Sequence, residues 1–418
     1  MRFATTAKAM LKLALAMLKL ALRNLLRQRA RTGLTLAAIS LGVASIVLSG
    51  GFVEDILLQL RETTIHSQLG HLQVYKYGQF ASGGHHPFDF LIDNPDEIER
   101  AVDALPGVVA RAERMSFSGL ISNGRSELPI LGEGIEPGRE ARIGSAISMV
   151  AGRQLVDLDE FGIVVGEGLA NAMKLKVGDS VNLVLTTREG AMNTLDFKVI
   201  GVFRSLSKEY DARAVRIPLR AAQELTTTSG VHTVVALLAD TDLTARAKAD
   251  LETRLPPGLE IKTWQDLADF YNGTAALYER QFGVLQVIIV VMVLLSVANS
   301  VNMTLQERIA EFGIIRALGR TSRHVFHLVM LETAMLGAIG GASGVALGAV
   351  IASAVSAIGI PMPPPPNSEA GFIAAIRIVP TILAVAFVLG VLATVVAALL
   401  PARRLTRIPV VEALRRAV

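Results

Sequence analysis

Three histidines and a cluster of serines are the residues whose types could support chemistry. His71, His85 and His86 carry imidazoles, which are common zinc ligands. Adjacent histidines point in different directions in most backbones, however, and no acidic ligand accompanies these three. The serines of segment 116–122 lack the paired histidine and aspartate that would activate a nucleophile. The sequence therefore predicts no metal ligand and no catalytic residue.

Nucleotide chemistry would need a glycine-rich loop that holds phosphates. The sequence contains no Gly-x-x-x-x-Gly-Lys-Ser/Thr string of the kind that binds ATP. Gly166-Glu167-Gly168 is an isolated pair of glycines beside an apolar run, which is more typical of a turn. We therefore expect no cofactor in this chain and expect its energy to come from a partner.

The most informative polar residues lie in the stretch 302–320, between two apolar segments. Glu307 and Glu311 come early in this stretch, whereas Arg316 and Arg320 come late, an order that suits the dipole of a helix. Gly319 stands where a glycine commonly ends a helix. The pattern predicts an amphipathic helix over 304–319, with an apolar face formed by Ile309, Phe312, Ile315 and Leu318. Such a helix could pack against its own neighbours or could dock a cytoplasmic motor, and the spacing favours neither.

The composition indicates the kind of protein to which this helix belongs. Hydrophobic residues make up 51% of the chain and charged residues only 19%, which is too apolar for an ordinary soluble protein. The chain is not apolar enough to lie wholly in a bilayer, so membrane spans plus a sizeable soluble domain are expected. Cysteine is absent, which excludes disulfides and thiolate metal sites.

Four apolar segments are long enough to cross a bilayer as helices, which takes about 20 residues. They are predicted at 34–53, 282–301, 330–360 and 378–400, the last closed by Pro401. Ionisable residues at mid-membrane would indicate an ion path, and none is evident in these segments. The spans are therefore expected to act as mechanical elements.

Basic residues predict the orientation of the spans, because cytoplasmic loops are enriched in Lys and Arg. They cluster before the first span, between spans two and three, and in the tail 401–418. Both termini are therefore expected in the cytoplasm, and the proline-rich loop Pro361–Pro366 outside. Basic residues at spacings of four and seven predict that segment 1–33 is an amphipathic helix on the inner leaflet, namely Lys8, Lys12, Lys19, Arg23 and Arg27. An ordinary basic extension is the alternative.

The segment 54–280 is predicted to be a mixed α+β domain in the periplasm. Apolar runs predict strands at 72–75, 162–165, 180–185, 197–203 and 233–238. Helical patterns at 95–104, 169–173, 218–225 and 243–253 alternate with them. The ends of the segment, 54–68 and 267–281, are expected to continue the first two spans as a helical stalk.

Several motifs resemble the FtsX/MacB superfamily of ABC transporter permeases. The pattern Glu-Arg-x-x-Glu-x-Gly-x-x-Arg-Ala-Leu-Gly begins at Glu307 and is followed by Glu332 and the glycine-rich run 337–344. Segments 162–201 and 401–415 resemble the MacB-like periplasmic core domain and the C-terminal tail of that superfamily. The order of one span, a large domain and three more spans also agrees, so 281–418 resembles an FtsX-like domain.

The resemblance implies a mechanism. In that superfamily a separate ATPase, which holds ATP and Mg²⁺, docks on a coupling helix between spans two and three of a permease dimer. The permease is a non-catalytic inner-membrane subunit that transmits ATP-driven motion to its periplasmic domain. By motif position, coupling to the ATPase is carried over to six residues, namely Glu307, Arg308, Glu311, Arg316, Leu318 and Gly319.

The resemblance leaves three functions open. The architecture resembles the lipoprotein-releasing LolC/LolE type more than MacB, whose ATPase is fused, and this implies extraction of lipoprotein or membrane lipid and transfer to a periplasmic carrier. The second function is MacB-type efflux of peptides, toxins or drugs through an adaptor, and the third is FtsX-like signalling to a periplasmic hydrolase. A homodimer and a heterodimer are both compatible with the sequence, and no nucleic-acid partner is expected.

Overall fold

The computed structural model describes residues 29–82, 87–205, 207–363 and 371–415. The predicted helix at the N-terminus, His85, His86 and prolines 364–366 lie outside these residues. The chain divides into two compact units, one comprising 1–57, 276–361 and 373–418 and the other comprising 58–275 and 362–372.

The elements alternate between long apolar helices and short strands. The helices are α1 (Arg29–Thr64), α2 (Gln79–Ser82), α3 (Asp96–Asp103), α4 (Pro137–Ile143), α5 (Glu167–Met173), α6 (Lys208–Asp211), α7 (Leu219–Thr226), α8 (Thr244–Arg254), α9 (Trp264–Leu267), α10 (Asp269–Glu307), α11 (Ile309–Ala317), α12 (Ser322–Ile358), α13 (Pro380–Arg407) and α14 (Val410–Arg415). The strands are β1 (Leu72–Lys76), β2 (Val108–Ser122), β3 (Glu127–Ile135), β4 (Ser148–Gly152), β5 (Gly162–Gly166), β6 (Ser180–Thr186), β7 (Met192–Arg204), β8 (Ala214–Pro218), β9 (Thr233–Leu238), β10 (Leu259–Thr263), β11 (Ile360–Met362) and β12 (Phe372–Ala374).

Four of the helices, α1, α10, α12 and α13, are long and apolar enough to cross a membrane. Together with the mixed α/β unit they confirm the predicted fold class. The prediction that Pro401 closes the last span was wrong, because α13 continues through it to Arg407. The turn beyond the proline buries Ala402 and Leu405 in the core of the helical unit, and this packing outweighs the one hydrogen bond that proline cannot donate.

Small residues bring the membrane helices of the first unit into close contact. Gly340, Gly344 and Gly348 of α12 form a stripe at intervals of four residues against α1. A Cβ atom added at Gly344 would lie 2.7 Å from the carbonyl oxygen of Ser40 and 2.7 Å from the Cβ of Val43. Close backbone approach of this kind is what small-residue stripes permit in membranes. The stripe is therefore used for packing within the chain.

The second unit is built on one sheet of ten strands. Its order is β10-β1-β9-β2-β3-β8-β5-β7-β4, with β6 paired to β2 and β7. Most pairs are antiparallel, whereas β3–β8 and β5–β7 are parallel. The predicted strands and helices of this unit are all present within a few residues. Gly178 (φ +99°) and Gly190 (φ +83°), before β6 and β7, take the left-handed conformation that glycine allows. The turn predicted at Gly166-Glu167-Gly168 is instead the junction where β5 ends and α5 begins.

Candidate functional site

The segment between α10 and α12 leaves the helical conformation at two places, at Arg308 and at Leu318–Gly319. Helix α10 ends at Glu307, Arg308 leaves the helical conformation (φ −101°, ψ 11°), and α11 starts at Ile309. The prediction of one helix over 304–319 was therefore wrong, because Arg308 interrupts the helix, and Ile309 and Phe312 beyond it are buried in the core. The prediction of a glycine C-cap is confirmed by the φ of +93° at Gly319.

Arg308 joins the start of α11 to the membrane helix α12. Its Nη1 lies 2.9 Å from Oε2 of Glu332, and its Nε lies 3.0 Å from Oε2 of Glu311. Its guanidinium also lies 5.0 Å from the ring centroid of the buried Phe312. The side chains of Arg308 and Glu332 are only 14% and 11% exposed, so water screens this pair weakly. The two charges fix the position of α11 against α12.

Arg316 anchors the other end of α11. Its Nη1 donates a 2.6 Å hydrogen bond to the carbonyl oxygen of Ile408, which follows the last residue of α13. The short helix α14 packs beside α11 and buries Ala413 in the same core. The coupling segment is thus held by α12 at Arg308 and by the C-terminal tail at Arg316.

The outer surface of α11 is apolar. Ile314 is 51% exposed and Leu318, four residues later, is 80% exposed. Residues four apart lie on the same face of a helix, so these side chains form one exposed apolar pair. Of the predicted apolar face, Leu318 is exposed and does not pack, because α11 ends at Ala317 and the chain turns at Leu318 and Gly319. Large exposed apolar side chains beside charged ones are typical of a protein contact.

The structure divides the six predicted coupling residues into two groups. Arg308, Glu311 and Arg316 make the internal contacts that hold α11. Glu307, Leu318 and Gly319 are exposed. Sequence reasoning missed Ile314 as a surface residue and missed Glu332 as the partner of Arg308. A glutamate near the start of an apolar span was the available signal for such a partner, since charges there are rarely left unpaired.

The second unit holds a buried ionic network that the sequence did not reveal. Arg114 of β2 contacts Glu140 of α4 through two hydrogen bonds of 2.6 and 3.1 Å, and Arg216 of β8 contacts Glu133 of β3 at 3.0 Å. Burial alone would raise the pKa of Glu133, but Arg216 and Arg114 outweigh it and leave that pKa below its usual range. Arg114 also donates to the carbonyl of Gln68, in the π-helical turn Ile65–Leu69 that follows α1.

His71, considered from the sequence as a metal ligand, uses both ring nitrogens within the second unit. The backbone N–H of Leu238 donates to its Nδ1 at 3.1 Å, so Nε2 carries the proton and lies 3.1 Å from the hydroxyl of Thr241. Burial, followed by the nearby His66, lowers the pKa of His71 from 6.5 to about 4. Within the described residues no group of three or more His, Cys, Asp or Glu side chains is placed to hold a metal.

The lowered pKa of His71 predicts that the folded state becomes less stable in acid. Because its pKa is lower in the folded chain, the unfolded chain binds one more proton between pH 6.5 and about 4, and the folded state loses stability as pH falls through this window. His71→Gln is expected to reduce the pH dependence of unfolding there by up to about 1 kcal/mol per pH unit. Thermal unfolding of the full chain in detergent across this window checks it, with His324→Gln, in α12 of the other unit, as control. Equal pH dependence in wild type and His71→Gln would contradict it.

Two family models match the chain and together cover most of it. The MacB-like periplasmic core domain matches residues 32–254, and the FtsX-like permease C-terminal domain matches residues 283–410. The chain belongs to the FtsX/MacB family of ABC transporter permeases, which are inner-membrane proteins with a periplasmic domain.

The chain is also similar to curated relatives and to solved structures. The chain is 24% identical over 325 residues to the lipoprotein-releasing system transmembrane protein LolC of Xylella fastidiosa, covering 76% of this chain and 75% of that protein. It is 24% identical over 340 residues to LolC of Neisseria meningitidis, covering 77% and 76%. Among solved structures, the periplasmic region of MacB from Actinobacillus actinomycetemcomitans is similar with a TM-score of 0.37 and 14% identity, covering 50% of this chain and 94% of that one.

Proposed function

We propose that this chain couples ATP hydrolysis on a separate ATPase to movement of its periplasmic domain, and that the movement extracts lipoprotein or lipid from the membrane. The observation that carries the coupling role is the construction of α11. Two internal anchors, at Arg308 and Arg316, hold a helix that presents Ile314 and Leu318 outward. A rigid element with an apolar outer surface is suited to receive force from a docked protein.

The path from α11 to the periplasmic domain follows from chain continuity. Helix α10, which ends at the coupling segment, is a single helix from Asp269 to Glu307 and includes the point where the chain passes from one unit to the other. Helix α1, a single helix from Arg29 to Thr64, also includes a point where the chain passes from one unit to the other. In the second unit, Arg114 binds the turn that follows α1, so a displacement of that turn acts directly on the buried ionic network. These helices are the proposed stalk.

The choice of cargo comes from the relatives. The match to lipoprotein-releasing LolC proteins extends over about three quarters of both chains, which includes the membrane unit as well as the domain. Basic residues concentrated at both termini and in the 302–324 loop support a cytoplasmic location for the coupling segment. The ATPase and a second permease are the proposed partners.

Co-purification from native membranes with mass spectrometry tests this function. An ATPase together with lipoprotein or lipid and a second permease is the expected result. An ATPase with an adaptor and an outer-membrane duct would replace extraction by efflux, and an ATPase with a cell-wall hydrolase would replace it by signalling. Recovery of the chain without any ATPase would contradict the coupling role itself.

The exposed pair on α11 gives a direct mutational prediction. Ile314→Asp combined with Leu318→Asp is expected to reduce ATPase recovery with the chain by about tenfold or more, since burying two unpaired carboxylates at an apolar contact is costly. Leu131→Asp, at an exposed leucine of β3 in the other unit, is the matched control and should leave recovery unchanged. The measurement is ATPase bound per permease after affinity purification. Equal recovery in both variants would remove α11 as the docking surface.

A further inference from the structure

A cavity of about 490 Å³ lies between the ends of two membrane helices, and its lining includes no residue of α11. Its walls come from the start of α12 (Ser322, Arg323, Phe326 and His327) and from the end of α13 (Arg403 and Thr406). The cavity therefore combines two guanidinium groups and the hydroxyl of Ser322 with one aromatic ring and one imidazole, whereas the hydroxyl of Thr406 already donates to the carbonyl oxygen of Arg403. Hydrogen-bond donors of this kind match the oxygens of a phosphate.

The positive charge of this cavity is not balanced by the chain. Arg323 and Arg403 are both exposed, and neither forms an ion pair with any described residue. Helix α13 contains no acidic residue from Pro380 to Arg407. The first carboxylate along α12, Glu332, is already paired with Arg308 at 2.9 Å. An anion entering the cavity would therefore meet two cations and no competing carboxylate on either wall.

An apolar surface leads from the membrane to this cavity. Leu392, Val396 and Leu400 of α13, four positions apart, are between 49% and 67% exposed, and Arg403 follows three positions after Leu400. Residues separated by three or four positions share one face of a helix, so the apolar stripe ends at the arginine. In a bilayer such a stripe contacts acyl chains, and the end of the span lies at the headgroups. A ligand with an acyl tail and a phosphate head fits both parts.

We propose that the cavity between α12 and α13 binds the headgroup of an anionic phospholipid, with Arg323 and Arg403 on its phosphate and its acyl chains along the stripe that ends at Leu400. A lipid bound in this way would contact the start of α12, which follows α11 in the chain, and the end of α13, which is followed by Ile408, the residue that accepts the hydrogen bond from Arg316 of α11. An acidic surface of a partner protein is the competing occupant, but it would leave the apolar stripe of α13 without a role. The proposal rests on the membrane location of the chain and not on its cargo.

The test measures lipid binding by the complex purified from native membranes in mild detergent. Short-chain phosphatidylglycerol is titrated in about 0.5 M salt, which screens diffuse charge attraction, and affinity is followed by native mass spectrometry. Removing both arginines, as in Arg323→Gln/Arg403→Gln, is expected to weaken binding about 25-fold, or about fivefold for each charge. The matched control Arg404→Gln/Arg407→Gln removes two exposed arginines of the same helix that do not line the cavity, and it should change affinity less than about twofold.

Further variants and probes distinguish between the possible ligands of the cavity. Arg323→Lys/Arg403→Lys keeps the charges and should retain most of the affinity, which guards against a folding defect. Phosphatidylcholine and inorganic phosphate are expected to bind much more weakly than phosphatidylglycerol, because one lacks the net charge and the other lacks the tail. The proposal would be overturned if both double glutamine variants lost the same affinity for phosphatidylglycerol. It would also be overturned if phosphatidylcholine or inorganic phosphate bound as tightly as phosphatidylglycerol. It would also be overturned if Arg323→Gln/Arg403→Gln kept the lipid and lost the ATPase, since the surface would then be a protein contact.

Discussion

Arg308→Met is expected to destabilise the protein by about 3 kcal/mol and to abolish ATP-driven work by the complex. The change removes one member of a pair whose side chains are 14% and 11% exposed and leaves the carboxylate of Glu332 without its cation. Breaking a buried pair from one side costs about 3–5 kcal/mol, and the partial exposure places this pair at the lower end. Because Arg308 also binds Glu311 and covers Phe312, α11 loses its attachment to α12.

The double variant Arg308→Met/Glu332→Met separates stability from coupling. Replacing both charges by apolar side chains removes the unpaired carboxylate, so most of the lost stability should return. Coupling should not return, because the bidentate contact that positions α11 is still missing. Thermal unfolding and ATPase stimulation of the assembled complex are the two measurements. If Arg308→Met alone unfolds and works like wild type, the pair does not hold the coupling segment.

Gly344→Leu is expected to prevent the membrane helices of the first unit from packing. The new Cβ would lie 2.7 Å from a backbone oxygen of α1, and backbone cannot move aside as a flexible side chain can. Overpacking a tight core costs about 1–3 kcal/mol, and here the whole leucine side chain must be placed between two helices. Most of the variant should therefore fail to accumulate as folded, monodisperse protein.

Gly283→Leu is the matched control for this prediction. Gly283 lies in the membrane helix α10, and nothing lies within 4 Å of the position that its Cβ would occupy. Leucine there should be neutral or slightly stabilising, because it is a better helix former than glycine. The comparison uses the yield and the unfolding temperature of both variants in one detergent. Normal packing of Gly344→Leu would show that α12 does not contact α1 through its glycines.

The architecture could be predicted from the sequence because its signals are local. Four apolar segments and the alternation of strands and helices each depend on neighbouring residues, and the structure confirms the fold class they imply. The positive φ of Gly319 was likewise predictable from the pattern that ends a helix. The predictions from local sequence failed where side chains pack against distant parts of the chain. Burial of Ala402 and Leu405 carries α13 through Pro401, and the turn at Arg308 divides the predicted coupling helix.

The contacts that give the candidate site its shape could not be predicted from one sequence. Arg308 and Glu332 are 24 positions apart, and Arg316 and Ile408 are 92 apart. Nothing in their spacing specifies that they meet. The same holds for Glu133 and Arg216, which become neighbours only because β3 and β8 pair in parallel. Family motifs indicated which residues matter, whereas the structure assigns Arg308 and Arg316 to internal anchoring and Leu318 to the surface.

Photo-crosslinking from position 318 in native membranes tests the central claim most directly. A photoreactive amino acid replaces Leu318 in one sample and Leu131, an exposed leucine of the other unit, in a second. We expect irradiation to join position 318 to an ABC ATPase, with a yield that changes when ATP is added, and to give no such adduct from position 131. Adducts of equal yield from both positions, or no ATPase at position 318, would contradict the assignment of α11 as the element that receives force from the ATPase.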